Sequence, residues 1–302
     1  MGATHILVVG SANIDYALNV ARLPTPGETV TAEHFRQTIG GKGVNQAVAA
    51  ARAGGSVAMV TCVGDDPHGQ MLRTALVAEG ISVEHVSTAH APSGVAVVMT
   101  ATGRDNMIAV VPGANALLLP SMLSADQFAG RGVVLCQLEI SQETVLQAAR
   151  LAWASGSVFI LDPAPAKALS AELLACVDWL TPNESEARFL LDFPRGELDP
   201  VAAATAIRAM GVGNVILKMG GRGSLLLSKG GPPVFIAPRI VEAIDTTAAG
   251  DAFNGAFAVA LAEGTKPEDA ARFASAAAAL AVTRPGASDS MAFRPEIERL
   301  LS

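Results

Sequence analysis

Short apolar runs rich in β-branched residues alternate along this chain with Ala-rich stretches of helical length. That rhythm narrows the fold more than any other feature. Ile6–Gly10, Ser56–Cys62, Gly132–Leu138, Ser157–Asp162, Val177–Thr181 and Asn214–Met219 read as strands. Asn45–Ala53, Gly69–Glu79, Ser141–Ala154 and Pro200–Met210, lying between them, read as helices. Strands that are apolar throughout are covered on both faces, and strand-then-helix repetition implies right-handed crossovers. The expectation is an α/β fold: a mainly parallel sheet sandwiched by helices. Two more helices, Ala252–Glu263 and Pro267–Val282, close the pattern, punctuated by Gly264 and Pro267. Half of the 302 residues are hydrophobic and only 4% are aromatic, so Ala and Gly must do the packing, and helices can lie close to the sheet.

Two stretches break the rhythm. Residues 15–39 and 92–112 hold strand-like runs (Tyr16–Val20, Thr29–Gln37, Val95–Thr100, Asn106–Val111) without helices between them. They predict a small antiparallel β lid that covers a ligand or pairs with a second subunit. The expected organisation is one domain, residues 1–302, carrying that lid.

A balance of 21 basic and 28 acidic residues, net −7 with no Lys/Arg run, argues against a nucleic-acid partner. One anionic cofactor such as ATP is still compatible with that charge. Cys62, Cys136 and Cys176 are odd in number, form no C-x-x-C pair and sit in or beside apolar runs. They read as buried thiols in a reducing cytoplasm. No apolar run has membrane-spanning length without Gly, Pro or charge, so no membrane partner is expected.

The chemistry concentrates in Val241–Phe253. Asp251 stands directly behind Ala248, Ala249 and Gly250, where a long Ala-rich helix begins. Small residues at a helix start leave backbone N–H groups free to hold an anion. A carboxylate beside such a hole can take a proton from a hydroxyl while the hole holds a phosphoryl group, as a small-molecule kinase requires. A second Gly-rich stretch, Gly40-Gly41-Lys42-Gly43-Val44-Asn45, lacks Walker spacing. Its glycines suit close backbone approach to a small ligand, with Lys42 and Asn45 as donors to a polyol; a tight turn with a surface lysine is the plain alternative.

Asn13 and Asp15 follow the first strand and Glu139 follows the run ending at Leu138, at strand ends where ligands of open α/β sheets gather. Alone, Glu139 reads as a helix-capping or surface acid. Asn183 and Glu186, one helical turn apart, could share a cleft in which the acid organises waters around magnesium, or could simply form a helix cap. Lys218-Met219-Gly220-Gly221-Arg222-Gly223 lets backbone approach an anionic ligand, and no G-x-G-x-x-G supports a dinucleotide site.

Together these residues resemble the ribokinase (PfkB-type) family of sugar kinases. Two signatures carry the resemblance: Gly40-Gly41-Lys42-Gly43-Val44-Asn45-Gln46-Ala47 and Asp245-Thr246-Thr247-Ala248-Ala249-Gly250-Asp251-Ala252-Phe253-Asn254-Gly255. Asn13-Ile14-Asp15, Gly113-Ala114-Asn115, Gln137-Leu138-Glu139 and Thr181-Pro182-Asn183-Glu184 follow in family order. The resemblance implies ATP-dependent phosphorylation of D-ribose at its 5-hydroxyl. In that reading Asp251 is the base and Ala248, Ala249 and Gly250 form the anion hole. Asn13, Asp15, Gly41, Lys42, Gly43, Asn45 and Glu139 face the sugar. Asn183, Lys218, Gly220, Gly223, Gly250 and Ser275 face the nucleotide, and Glu186 serves magnesium through water. Asp245, Thr247, Ala281, Arg284, Gly286 and Ser290 surround a monovalent cation, usually potassium, with Thr247 acting through its backbone carbonyl. The resemblance also implies a homodimer clasped through the lid. The alternatives are a kinase for deoxyribose, fructose or adenosine, and a non-catalytic sugar- or nucleotide-binding regulator.

Overall fold

The computed structural model describes residues 5–101, 106–193 and 195–302. Residues 102–105, inside the second predicted lid stretch, lie outside it. The main sheet is built from β1 (His5–Val9), β4 (Ser56–Gly64), β5 (Val86–Ala89), β8 (Val133–Cys136), β9 (Val158–Leu161), β10 (Trp179–Leu180), β11 (Asn214–Lys218), β12 (Ser224–Leu227) and β13 (Pro233–Ile236). A second sheet holds β2 (Asn13–Val20), β3 (Ala32–Gly40), β6 (Gly94–Ala101) and β7 (Asn106–Val111).

The nine strands lie in the order β13-β12-β11-β10-β9-β8-β1-β4-β5. All pairings from β5 to β11 are parallel; β12 and β13 finish one edge antiparallel. The three strands β5, β12 and β13 are not anticipated from sequence. Each has four residues, too few for a periodicity to register. The smaller sheet runs β3-β2-β6-β7, with antiparallel β2–β3 and β6–β7 pairs joined through a parallel β2–β6 pair.

Alternation along the main strands divides the core in two. Ile6, Val8, Val57 and Met59 face the helices Lys42–Arg52, Ala249–Ala262 and Pro267–Ala281. Leu7, Val9, Ala58 and Val60 face Gln142–Ser155 and Pro200–Ala209. Alanines dominate the first layer, so those helices approach closely, and the few aromatics fill what is left. Phe257 packs edge-on to Trp179 at 5.2 Å between ring centroids and stacks with Phe253 at 6.0 Å. Among the described residues no helix is long and apolar enough to cross a membrane.

Two helices begin earlier than their composition suggests. Lys42–Arg52 starts three residues before Asn45 because Gly41, at φ 88, turns the chain directly from β3 into the helix. Ala249–Ala262 starts ahead of Ala252 because Ala248 takes a left-handed conformation at φ 57. In the main sheet the chain leaves β1 toward β4 and β5, then returns to β8 on the other side of β1. The crevice past the carboxyl ends of β1 and β8 is thus the topological switch point, where ligands of open α/β sheets bind.

Candidate active site

At the centre of that crevice lies Asp251, in the first turn of Ala249–Ala262 and only 4% exposed. Its Oδ2 accepts from Asn45 Nδ2 at 3.1 Å and its Oδ1 from Gln46 Nε2 at 2.9 Å. Both donors come from the helix that starts at Lys42. Burial pushes the Asp251 carboxyl up, Lys42 opposes that and Asp162 adds to it. Ala248, Ala249 and Gly250 precede it at a helix start with no side-chain cap; Ala249 N donates to Thr246 O at 3.4 Å, and all three residues line an open cavity.

On the lid side, Asp15 of β2 is largely buried, and its Oδ1 has no hydrogen-bond partner. Burial first, then the charges of Glu139 and Asp251, push its carboxyl up to about 7. Asn13 is held by Asn115, whose Nδ2 donates to Asn13 Oδ1 at 2.7 Å and whose Oδ1 accepts from Ala12 N at 2.8 Å. Glu139 accepts from Ser11 Oγ at 2.5 Å and from Lys42 N at 3.0 Å. It therefore caps the helix at Lys42, the plain reading of this acid, while remaining half-buried beside Asp15. Asn45 has an unpartnered buried Oδ1. Gly43 is turned from the crevice: a methyl on it would stand 2.5 Å from Ser11 O, so its bareness serves the packing of helix on loop.

Lys42, expected among the sugar donors, also lines a cavity of about 600 Å³ that Asp251 borders. Burial alone would lower its pKa, but Asp251, Asp162, Glu139 and Glu186 together hold it above the usual lysine range. The same cavity is lined by Asn183, Glu186, Lys218, Gly220, Gly223, Gly250 and Ser275, which brings together the whole set expected on the nucleotide side. Its deeper wall is apolar, with Ala278, Ala279 and Val282. Asn183 and Glu186 form a reciprocal helix cap: Asn183 N donates to Glu186 Oε2 at 2.7 Å, and Glu186 N to Asn183 Oδ1 at 2.9 Å. Glu186 still lines the cavity, and burial pushes its carboxyl up.

Beside the anion hole, Asp245 accepts from Thr247 N and Gly286 N, both at 2.9 Å. Burial would raise its pKa, but the bonds from Thr247 and Gly286 hold it below the usual carboxylate range. Val282 O, next to Ala281, accepts from Ile244 N and Asp245 N, so the end of Pro267–Ala281 lies against Asp245. The Arg284 guanidinium turns away to Glu296, and Ser290 Oγ donates to Ala287 O. Those two residues have only backbone oxygens and the hydroxyl lone pairs to offer an ion.

Several participants went unrecognised in the sequence. Asp162 accepts from Lys218 Nζ at 3.1 Å and from Gln46 at 2.9 Å, and Gln137 donates to Gln46 Oε1 at 2.6 Å. Asp162, Gln137 and Asn115 each end a strand or follow one, and Gln46 sits inside a signature. Their positions were visible, but their partners lie 56 to 116 residues away, a distance that only the fold bridges.

Residues 3–294 match the pfkB family carbohydrate kinases. The chain belongs to that family. Ribokinase of Haemophilus influenzae is 40% identical to the kinase over 295 residues, 96% of each chain. The structure of Arabidopsis thaliana ribokinase complexed with ribose and ATP superposes with a TM-score of 0.92 at 36% identity, covering 99% of both chains. Deoxyribokinase of Salmonella typhimurium is 34% identical, covering 97% of the kinase and 96% of the relative. The fold expected from the strand–helix rhythm and the family expected from the two signatures are both borne out.

Proposed function

We propose that this kinase phosphorylates D-ribose at its 5-hydroxyl with ATP, as a single α/β domain with a β lid. The observation that carries the reading is the place of Asp251. Asn45 holds the carboxylate on the lid side, while the carboxylate also lines the 600 Å³ cavity on the other side. A hydroxyl presented from the lid side and a phosphoryl group presented from the cavity meet there, beside the helix start that carries no side-chain cap. Asp251 takes the hydroxyl proton as the oxygen attacks the γ-phosphorus, the bond from that phosphorus to the β–γ bridging oxygen breaks and ADP leaves with its electron pair, and the backbone amides of Ala248, Ala249 and Gly250 steady the charge on the transferred oxygens.

Asn13, Asp15, Gly41, Asn45 and Glu139 hold the sugar. The unpartnered oxygens of Asp15 and Asn45 support this assignment, because hydroxyl groups would satisfy them. Lys42 and Lys218 face phosphate charge from the cavity wall. Ser275, with the apolar residues around it, faces the base.

Glu186 and Asp162 fit magnesium held through waters and phosphate oxygens; among the described residues no group of three or more His, Cys, Asp or Glu could cage a metal. Magnesium supplies neutralisation of phosphate charge. Asp245, kept ionised by its two backbone donors, fits a potassium ion with the carbonyls of Thr247, Ala281, Arg284 and Gly286 and with Ser290. The exposed apolar side chains Phe35, Met107, Ile108, Val110 and Val111 on the lid support a homodimer through that sheet. Three free thiols and the use of ATP support work in the cytoplasm.

ADP release measured with ribose, deoxyribose, fructose and adenosine, with and without potassium, tests the reading. Ribose should give the highest kcat/KM; a preference for any of the other three would overturn the substrate assignment. The deoxyribokinase likeness makes deoxyribose the decisive comparison.

A further inference from the structure

Among the described residues, the buried amide of Gln46 is the neutral side chain that hydrogen-bonds both Asp251 and Asp162. Gln46 and Gln137 are both fully buried. Gln46 Nε2 donates one hydrogen to Asp251 Oδ1 and the other to Asp162 Oδ2, each at 2.9 Å. Its Oε1 accepts from Gln137 Nε2 at 2.6 Å, which fixes which end of the amide faces the acids. The Gln137 side chain is itself confined, since its amide carbon lies 3.0 Å from where a methyl on Gly10 would sit. The outer oxygens of the two acids are also held: Asp251 Oδ2 by Asn45 and Asp162 Oδ1 by Lys218.

We propose that Gln46, anchored by Gln137, is a positioning residue for phosphoryl transfer that bridges Asp251 and Asp162 and fixes the orientation of the Asp251 carboxylate. The proposal rests on the reading of Asp251 as the base. Held at Oδ1 by Gln46 and at Oδ2 by Asn45, that carboxylate has one orientation toward an incoming hydroxyl. A two-hydrogen neutral donor ties it to Asp162 without adding charge. Glutamate in its place would add a third acid, and a lysine would compete with Lys42 for the same carboxylate. The charged groups facing Asp251 are Lys42, Asp162 and Asp15, and Lys218 faces Asp162.

The test compares Gln46→Leu, Gln137→Met, their double variant and Asp251→Asn with the wild-type kinase. Readouts are kcat and KM, ribose binding by calorimetry and thermal unfolding. Gln46→Leu should lower kcat about 10- to 100-fold, with ribose affinity and KM for ribose within about threefold. Gln137→Met should act in the same direction and less strongly, and the double variant should be no worse than Gln46→Leu, as members of one network behave. A Gln46→Leu enzyme with near-normal kcat, or one whose loss lies in ribose affinity and not in kcat, overturns the proposal. Should Gln46→Leu fail to unfold cooperatively, Gln137→Met decides: an unchanged kcat there also overturns it. Normal turnover by Asp251→Asn would instead bring down the assignment of the base, and this inference with it.

Discussion

The two sides of Asp251 are built on opposite plans. On the sugar side there is no slack. A methyl on Gly40 would land on the Asp15 carboxylate, and one on Gly94 on the amides of Asn13 and Asn115. A methyl on Gly41 would come within 2.9 Å of Asn13 N. The polar groups there are largely committed to one another through Asn115, Ser11 and the helix start at Lys42. On the nucleotide side a 600 Å³ cavity opens, and methyls on Gly220 or Gly221 would touch nothing within 4 Å. The difference teaches which half sets selectivity. A half whose groups are positioned before binding discriminates among close analogues, whereas a roomy half tolerates a large ligand and leaves its placement to a few charged groups.

Removing the group shared by both halves should have the largest effect. Asp251→Asn keeps the size of the side chain but not the base, and turnover should fall by about 100- to 10,000-fold while calorimetric ribose affinity stays nearly unchanged. Near-normal turnover would separate Asp251 from the chemistry.

Next in size is a methyl where the helix Lys42–Arg52 packs on the Gly10–Ser11 loop that carries the sugar half. Gly43→Ala drives a carbon into the backbone of Gly10 and Ser11 at 2.5 to 2.7 Å. It should cost about 3 kcal/mol of stability, near the upper end of overpacking effects, read as a lowered denaturant midpoint. An unchanged midpoint would show that the sugar half can yield, and the contrast between the halves would dissolve.

A pH effect should follow from Asp15. With its carboxyl raised to about 7, Asp15 is mostly protonated in the free protein below that pH and ionised above it. The ionised form is the better acceptor for sugar hydroxyls, so KM for ribose should rise about fivefold between pH 7 and pH 6, and Asp15→Asn should abolish the dependence. The same shift gives a sign for stability. Between about pH 4 and about pH 7 the unfolded chain releases this proton and the native chain keeps it, so this residue's contribution to stability declines as pH rises.

The smallest effect belongs to the open half. Gly221→Ala adds a methyl to empty space and should leave the thermal midpoint and ribose KM unchanged, with KM for ATP rising less than about threefold. A loss of stability equal to that of Gly43→Ala would refute the distinction.

The open half was also the easier to read in the sequence. Asn183, Lys218, Gly220, Gly223 and Gly250 follow strand ends or open helices, and the structure gathers them around one cavity. The apolar runs of β1, β4, β8, β9 and β11 announced a parallel sheet because burial on both faces leaves no polar alternation to interpret. The tight half was legible by residue type and not by partner. Glu139 could be a cap or a ligand contact, and its bond to Lys42 N depends on bringing together residues 97 apart. Gln46 was overlooked for the same reason: an amide in a helix is unremarkable until two acids from other elements close on it.

The direct junction at Gly41 has a mechanical consequence. β3 ends at Gly40 and the helix under Asp251 begins at Lys42, while only Gly10–Ala12 separate β1 from β2. The lid is thus a stiff arm pivoting on very short stems, with the fulcrum against the sugar-side residues. A nine-residue strand at about 3.3 Å per residue reaches about 30 Å, so ~10° of rotation at the stem sweeps its far end through roughly 5 Å. A fit difference of a few tenths of an ångström at the sugar is magnified along that arm, so the rim of the lid is the place to mount a spectroscopic label that reports which sugar has bound.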